Sequence, residues 1–187
     1  MFIRLIRRLA LLGVFVLQAG GCAETEGQPQ ARLGLMLAPG SLGESISVQQ
    51  QLRVERDGRI DHLDIALEVD PDRMQMVGLA FGQRVLRLNY DGQNLQTWRH
   101  LMLPSQVRSE DILEDVQLTL WPAEAIRQAL PDGWRIEEEG LRRTLLLDDR
   151  TVMLIEYSHP TRWTGKVELL NLRYHYRLII RSAPAKP

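Results

Sequence analysis

From Ser45 onward the chain alternates apolar and polar residues with a period of two, and the alternation is interrupted once, near the middle. Ile46, Val48, Leu52 and Val54 share one face of the first stretch, with Gln50 the polar residue among them. Ser47, Gln49, Gln51, Arg53 and Glu55 lie opposite, which is the pattern of a half-buried strand. Asp57-Gly58 supplies a two-residue hairpin turn. Leu63, Ile65, Leu67 and Val69 carry the apolar face back, with His62, Asp64 and Glu68 on the other side. Pro71-Asp72 turns the chain again. Met74 to Phe81 is apolar on both faces, Gly82-Gln83 follows, and Leu86, Leu88 and Tyr90 align before a turn at Asp91-Gly92. Asn94 to Leu103 predicts a further strand that ends at Pro104.

The period changes at Ser109. Ser109-Glu110-Asp111 reads as a helix start, a capping side chain followed by acids against the positive end of the helix dipole. Ile112, Leu113, Val116 and Leu120 recur at helical spacing. Trp121-Pro122 breaks this helix, and a second short one is expected from Pro122 to Leu130, with Ala125, Ile126, Ala129 and Leu130 as its apolar stripe. The two-residue period then returns over Trp134–Glu138, Leu141–Leu147 and Thr151–Tyr157. Val167 to Arg181 puts Glu168, Leu170, Leu172, Tyr174, Tyr176, Leu178 and Ile180 on one side, and is long enough for one bent strand or for a hairpin. About ten strands with one helical interruption predict a mostly β, α+β fold. Its sheet would be antiparallel and strongly curved, an unclosed barrel, with a short helical lid from the middle of the chain.

The residues before the sheet follow another pattern. Arg4, Arg7 and Arg8 precede an apolar run, Leu9 to Leu17, and then Ala19-Gly20-Gly21 and Cys22. This is the layout of an export signal, and ending it on a cysteine resembles the lipobox of bacterial lipoproteins, with Ala19 where leucine is commonest. The resemblance implies that Cys22 takes a diacylglycerol, that the chain is cut before it, and that the new amine is acylated. Ala23, where aspartate would favour inner-membrane retention, implies an outer-membrane anchor facing the periplasm. A plain secretory signal with an incidental cysteine, or an uncleaved anchor, uses the same residues, although the apolar run is short of the ~20 that span a bilayer. Ala23 to Gln30 reads as a flexible tether, and Leu33 to Leu42 as an extended segment along the domain surface. The chain thus divides into a signal (1–21), an acylated tether (22–44), one domain (45–182) and a tail (183–187).

Composition removes several classes of function. The net charge is −1 with mixed signs, so no nucleic-acid partner is expected. Cys22 is the only cysteine, and once acylated it leaves no thiol for a disulfide or a thiolate metal site. His62, His100, His159 and His175 are scattered without metal-ligand spacing. There is no Gly-x-Ser-x-Gly elbow and no phosphate-binding glycine loop, and Asp148-Asp149 reads as a solvated turn. No catalytic residues, cofactor or metal are expected.

The same layout resembles the outer-membrane lipoprotein localisation factors, the LolA/LolB superfamily. The match is best over Met76 to Gly133. Val77 to Leu88 is similar to the family segment in which an apolar residue and a glycine form a tip between two strands. Trp121 to Leu130 is similar to its helix that starts at a proline and closes the open side of the barrel. The sequence also resembles a family of uncharacterised proteobacterial lipoproteins placed beside that superfamily, some encoded with aryl polyene biosynthesis enzymes. The resemblance implies an apolar cavity for acyl chains, lined here by Met74, Met76, Leu86, Leu88, Met102, Met153 and Ile155. It implies a lid carrying Ile112, Val116, Trp121, Ile126 and Leu130, and a membrane-facing tip at Phe81, here on a short turn. A lipid contributes about 0.8 kcal/mol per buried CH₂, and methionine repacks around variable chains, although each methionine also suits an ordinary core. The implied partners are a lipid or acylated lipoprotein cargo and the outer membrane, with an inner-membrane exporter or a periplasmic carrier as a further one. The alternative function is a scaffold docking an envelope export or biosynthesis machine.

Overall fold

The computed structural model describes residues 33–185, so the signal, Cys22 and the tether up to Arg32 lie outside the described residues. Ten strands form one antiparallel sheet: β1 (Ile46–Arg56), β2 (Arg59–Val69), β3 (Met74–Ala80), β4 (Gln83–Tyr90), β5 (Leu95–Arg99), β6 (Trp134–Glu139), β7 (Arg142–Leu147), β8 (Arg150–Tyr157), β9 (Gly165–Asn171) and β10 (Tyr176–Pro184). Their order is β5-β4-β3-β2-β1-β10-β9-β8-β7-β6, so β5 and β6 are the two open edges. The chain crosses from one edge to the other through α1 (Ser109–Leu120) and α2 (Ala123–Ala129).

Register follows the alternation. Val48, Leu67 and Met76 stand side by side across β1, β2 and β3, as do Ile155 and Leu169 across β8 and β9. These residues are buried, and they form a single core with Leu113 and Leu118 of α1, Ile126 of α2 and Trp121 between the two helices. The helices therefore cover the apolar face of the sheet. Two side-chain bonds from the sheet to the end of α1 fix it there. Arg143, buried on β7, donates to the Leu118 carbonyl, and the Tyr157 hydroxyl donates to the Thr119 carbonyl at 2.7 Å. They satisfy carbonyls that the helix end leaves without partners.

The structure corrects several expectations. Val167 to Arg181 is a hairpin, and its four-residue turn shifts the phase of the alternation. Val167, Leu169 and Asn171 face inward on β9, whereas Leu170 and Leu172 are exposed. The strand after Asp91-Gly92 stops at Arg99, leaving Leu101 and Met102 in a loop. Ser109 is the first helical residue rather than the cap; the first helical bond reaches the Arg108 carbonyl, and no side chain caps the end. Leu33 to Leu37 does not lie on the surface: Leu33, Leu35 and Leu37 alternate into the core while Gly34 and Met36 face out.

Candidate functional site

Two places could carry function, the covered interior and one end of the sheet. The interior is filled. Met74, Met76, Leu86, Leu88, Met153 and Ile155 are all buried, as are Trp121 and Ile126, while Ile112, Val116 and Leu130 are half-buried against the same core. Met102 does not join them; it is half exposed in the loop after β5.

The strap Leu33–Leu37 completes this filling, and α1 holds it by its backbone. Glu114 accepts from the amides of Gly34 (2.8 Å) and Leu35 (3.4 Å). Gln117, fully buried, accepts from the Leu37 amide at 2.9 Å and donates to the Leu37 carbonyl at 2.8 Å. The Trp121 indole donates to Ser41 Oγ at 2.9 Å. Sequence reasoning missed Glu114 and Gln117 because a polar residue inside a helix ordinarily faces water; the signal was that Gln117 falls one turn after Leu113, on the buried stripe.

Beside α1 lies a small cavity of about 40 Å³, bounded by Arg56, Asp115 and Tyr176 among others. That is close to one water's share of liquid volume, about 30 Å³, and holds no acyl chain. The Tyr176 hydroxyl donates to the Asp115 carboxylate at 2.8 Å. Burial pushes the Asp115 carboxyl up to about 7 against that bond, and neighbouring Glu114 adds to the rise.

The second place is the end of the sheet where the β1–β2, β3–β4, β7–β8 and β9–β10 turns lie, here called the rim. Register sets its membership. Ala80 pairs with Gln83 around the β3–β4 turn, and the His100 amide donates to the Val85 carbonyl, which puts the Leu101-Met102 loop beside that turn. Eight of the ten large apolar side chains exposed among the described residues lie here: Ile60, Leu79, Phe81, Trp98, Leu101, Met102, Leu170 and Leu172. Phe81 and Leu101 are 95% and 99% exposed, so neither ring nor isobutyl group packs on the domain. Scattered apolar residues need no explanation, but a concentration at one end does. Phe81 also has a left-handed backbone, φ 52, a conformation unfavourable for an aromatic residue. Arg84 lies over the Trp98 ring, 5.2 Å from its centre, and so keeps that indole at the surface. Of the rim, the sequence analysis named Phe81, as a tip implied by the resemblance, and Met102, as a cavity residue. Leu101 and Met102 were hidden inside an expected strand, and Leu170 and Leu172 on an expected inner face.

Among the described residues no cluster of three or more His, Cys, Asp or Glu is placed to hold a metal, and no helix is long and apolar enough to cross a membrane. No curated protein matches the chain. Among solved structures, one titled "The complex structure of Pseudomonas aeruginosa MucA/MucB" is 19% identical with a TM-score of 0.40, over 80% of this chain and 56% of that one, so the chain spans little more than half the length of that neighbour. Residues 47–184, nearly the whole sheet and both helices, match the family described as protein of unknown function DUF3261, and the chain belongs to that family.

Proposed function

We propose that this protein is a non-enzymatic lipoprotein of the outer membrane that works against the bilayer through its rim, assisting the transfer or insertion of a lipid or acylated molecule at the periplasmic face. The observation that carries this reading is the concentration of exposed apolar side chains at one end of the sheet, with Phe81 and Leu101 wholly free of the domain. Such side chains bury into the headgroup and acyl boundary, each contributing about 1.5–3 kcal/mol. The strap agrees in direction. It runs alongside α1, from Leu33 near Glu114 to Pro39, whose ring lies near Gly92 at the end opposite the rim. Leu33 is thus the rim-ward end of the strap. An acylated Cys22 would stand only eleven residues before it, a reach of at most about 40 Å.

The filled interior supports a second reading, a scaffold with no cargo of its own, because an acyl chain enters only if the strap or α2 leaves. One experiment separates the two. The chain from Ala23 onward, which holds the whole described core and lacks Cys22, is mixed with phosphatidylcholine vesicles and sedimented. The proposal expects binding that Phe81→Ser with Leu101→Ser reduces a hundredfold or more without lowering the unfolding temperature. No binding by the unaltered protein, at concentrations where it is monomeric and folded, would leave the scaffold reading.

A further inference from the structure

The rim also carries a charged feature that its apolar side chains do not explain. A groove of about 440 Å³ opens between the β1–β2 turn and the β9–β10 turn. Arg53, Arg56, Arg59 and Arg177 line it against Glu55 and Asp57, a local surplus of two positive charges (4 − 2) in a chain whose net charge is −1. The arginines divide into two kinds. Arg53 lies 2.9 Å from Glu55, and Arg177 is paired with Glu168 and approaches Glu55 at 3.9 Å, so these two form a fixed floor. The turn arginines are held far less. Arg59 has no ion pair among the described residues, and Arg56 has Asp57 at 3.8 Å, with its guanidinium 5.9 Å from the centre of the Tyr176 ring. Ile60 and Leu170, both exposed, complete the walls.

We propose that this groove binds the phosphate headgroup of an anionic phospholipid, with Arg56 and Arg59 forking onto phosphate oxygens and Ile60 and Leu170 lying against the glycerol and first methylenes. The proposal rests on the membrane-facing reading of the rim. A guanidinium matches two phosphate oxygens at once, which an ammonium does not. The ordering of groups also fits a bilayer surface, where anionic phosphate lies just outside the acyl boundary. A free phosphate or a nucleotide would use the arginines and leave Ile60 and Leu170 wet.

The chain from Ala23 onward is titrated with vesicles of phosphatidylcholine alone and of phosphatidylcholine mixed with phosphatidylglycerol. The mixed vesicles are expected to bind about tenfold or more tightly, and Arg56→Glu with Arg59→Glu to erase that surplus. A control reversal, Arg181→Glu with Arg150→Glu, lies outside the groove and should retain most of the surplus. An unchanged preference in the groove variant, or an equal loss in the control, overturns the groove and leaves the rim standing. If neither vesicle binds, the rim reading fails, and short-chain phosphatidylglycerol below its micellar concentration decides the groove by calorimetry. Binding abolished by Arg59→Glu would sustain it, and no binding would end it.

Discussion

Two turns of this molecule have the same backbone and opposite contents. Asp57-Gly58 joins β1 to β2 with φ values of 50 and 74, and Phe81-Gly82 joins β3 to β4 with 52 and 73. Both are two-residue connections, closed by the pairs Arg56–Arg59 and Ala80–Gln83, with left-handed residues at both central positions. Asp tolerates that conformation because its short polar side chain bonds locally; a phenylalanine has no such compensation, and the left-handed region costs roughly 1–2 kcal/mol for an ordinary residue. Phe81 therefore carries backbone strain and an exposed ring together, and its contacts within the domain explain neither. The first turn holds a residue that its backbone favours, and the second holds one that it does not. The same contrast separates the interior from the rim: one is closed by its own strap and helices, the other leaves its apolar groups open.

The contrast breaks most severely if an interior residue proves to matter for membranes or a rim residue for folding. Trp121 is fully buried, and its indole is bonded to Ser41. Trp121→Ala should lower stability by about 3–5 kcal/mol, read from urea unfolding, while the molecules still folded bind vesicles as before. Gln117→Leu comes next. It keeps the volume but removes both partners of the Leu37 backbone, and an unmet buried group costs about 1–3 kcal/mol each. A loss of about 2–6 kcal/mol is expected, with hydrogen exchange at Leu35 and Leu37 rising more than in the sheet. If exchange rose equally everywhere, the strap would not be a separate unit.

The sheet was legible because alternation and turn chemistry agree. Ile46 to Val54 and Leu63 to Val69 declare one face, and Asp57-Gly58 declares the turn between them. The reading failed where a shift of one position reverses a face, as at Leu170 and Leu172, since the phase after a turn depends on a loop length that periodicity alone does not give. The strap was illegible for another reason. Leu33, Leu35 and Leu37 pair with no strand; they are held by Glu114 and Gln117 about eighty residues away. Phe81 was legible through resemblance, whereas its neighbours on the rim come from separate strands and loops that only the folded sheet brings together.

A smaller effect marks the border between the two regions. The Asp115 carboxyl keeps its proton up to about 7 in the fold against an ordinary 3.8, so folding takes up a proton between those values. Its contribution to stability is complete below about pH 4 and is lost as pH rises through 7. Glu168 runs the other way: hydrogen bonds from Lys166 and Arg177 hold it down to about 2, and its contribution, present above 4.5, is lost as pH falls. Asp115→Asn keeps an acceptor for the Tyr176 hydroxyl and removes the charge. At pH 7.5 it should raise the unfolding temperature by a few degrees, roughly 2–4 °C per kcal/mol gained, and flatten the decline between pH 5 and 7.5. Equal slopes in both proteins would place the titrating group elsewhere.

The finest distinction is between the turns themselves, and it is tested by exchanging their contents. Phe81→Asn supplies a residue that accepts φ 52, and should stabilise the domain by up to about 1 kcal/mol. Asp57→Phe imposes on the other turn the strain that Phe81 bears, and should destabilise by a similar amount. If the strain at Phe81 serves the membrane, Phe81→Asn gains stability and loses vesicle binding together, the pairing expected where function is kept at the expense of the fold. A phenylalanine at position 57 would not restore that binding, because the β1–β2 hairpin runs on past the last pair it shares with β3, Asp64 with Leu79, and would set the ring apart from Leu101 and Met102. A double variant, Asp57→Phe with Phe81→Asn, that bound vesicles as well as the unaltered chain would show that the rim needs only an exposed ring and not this one, and the contrast between the turns would then reduce to backbone strain alone.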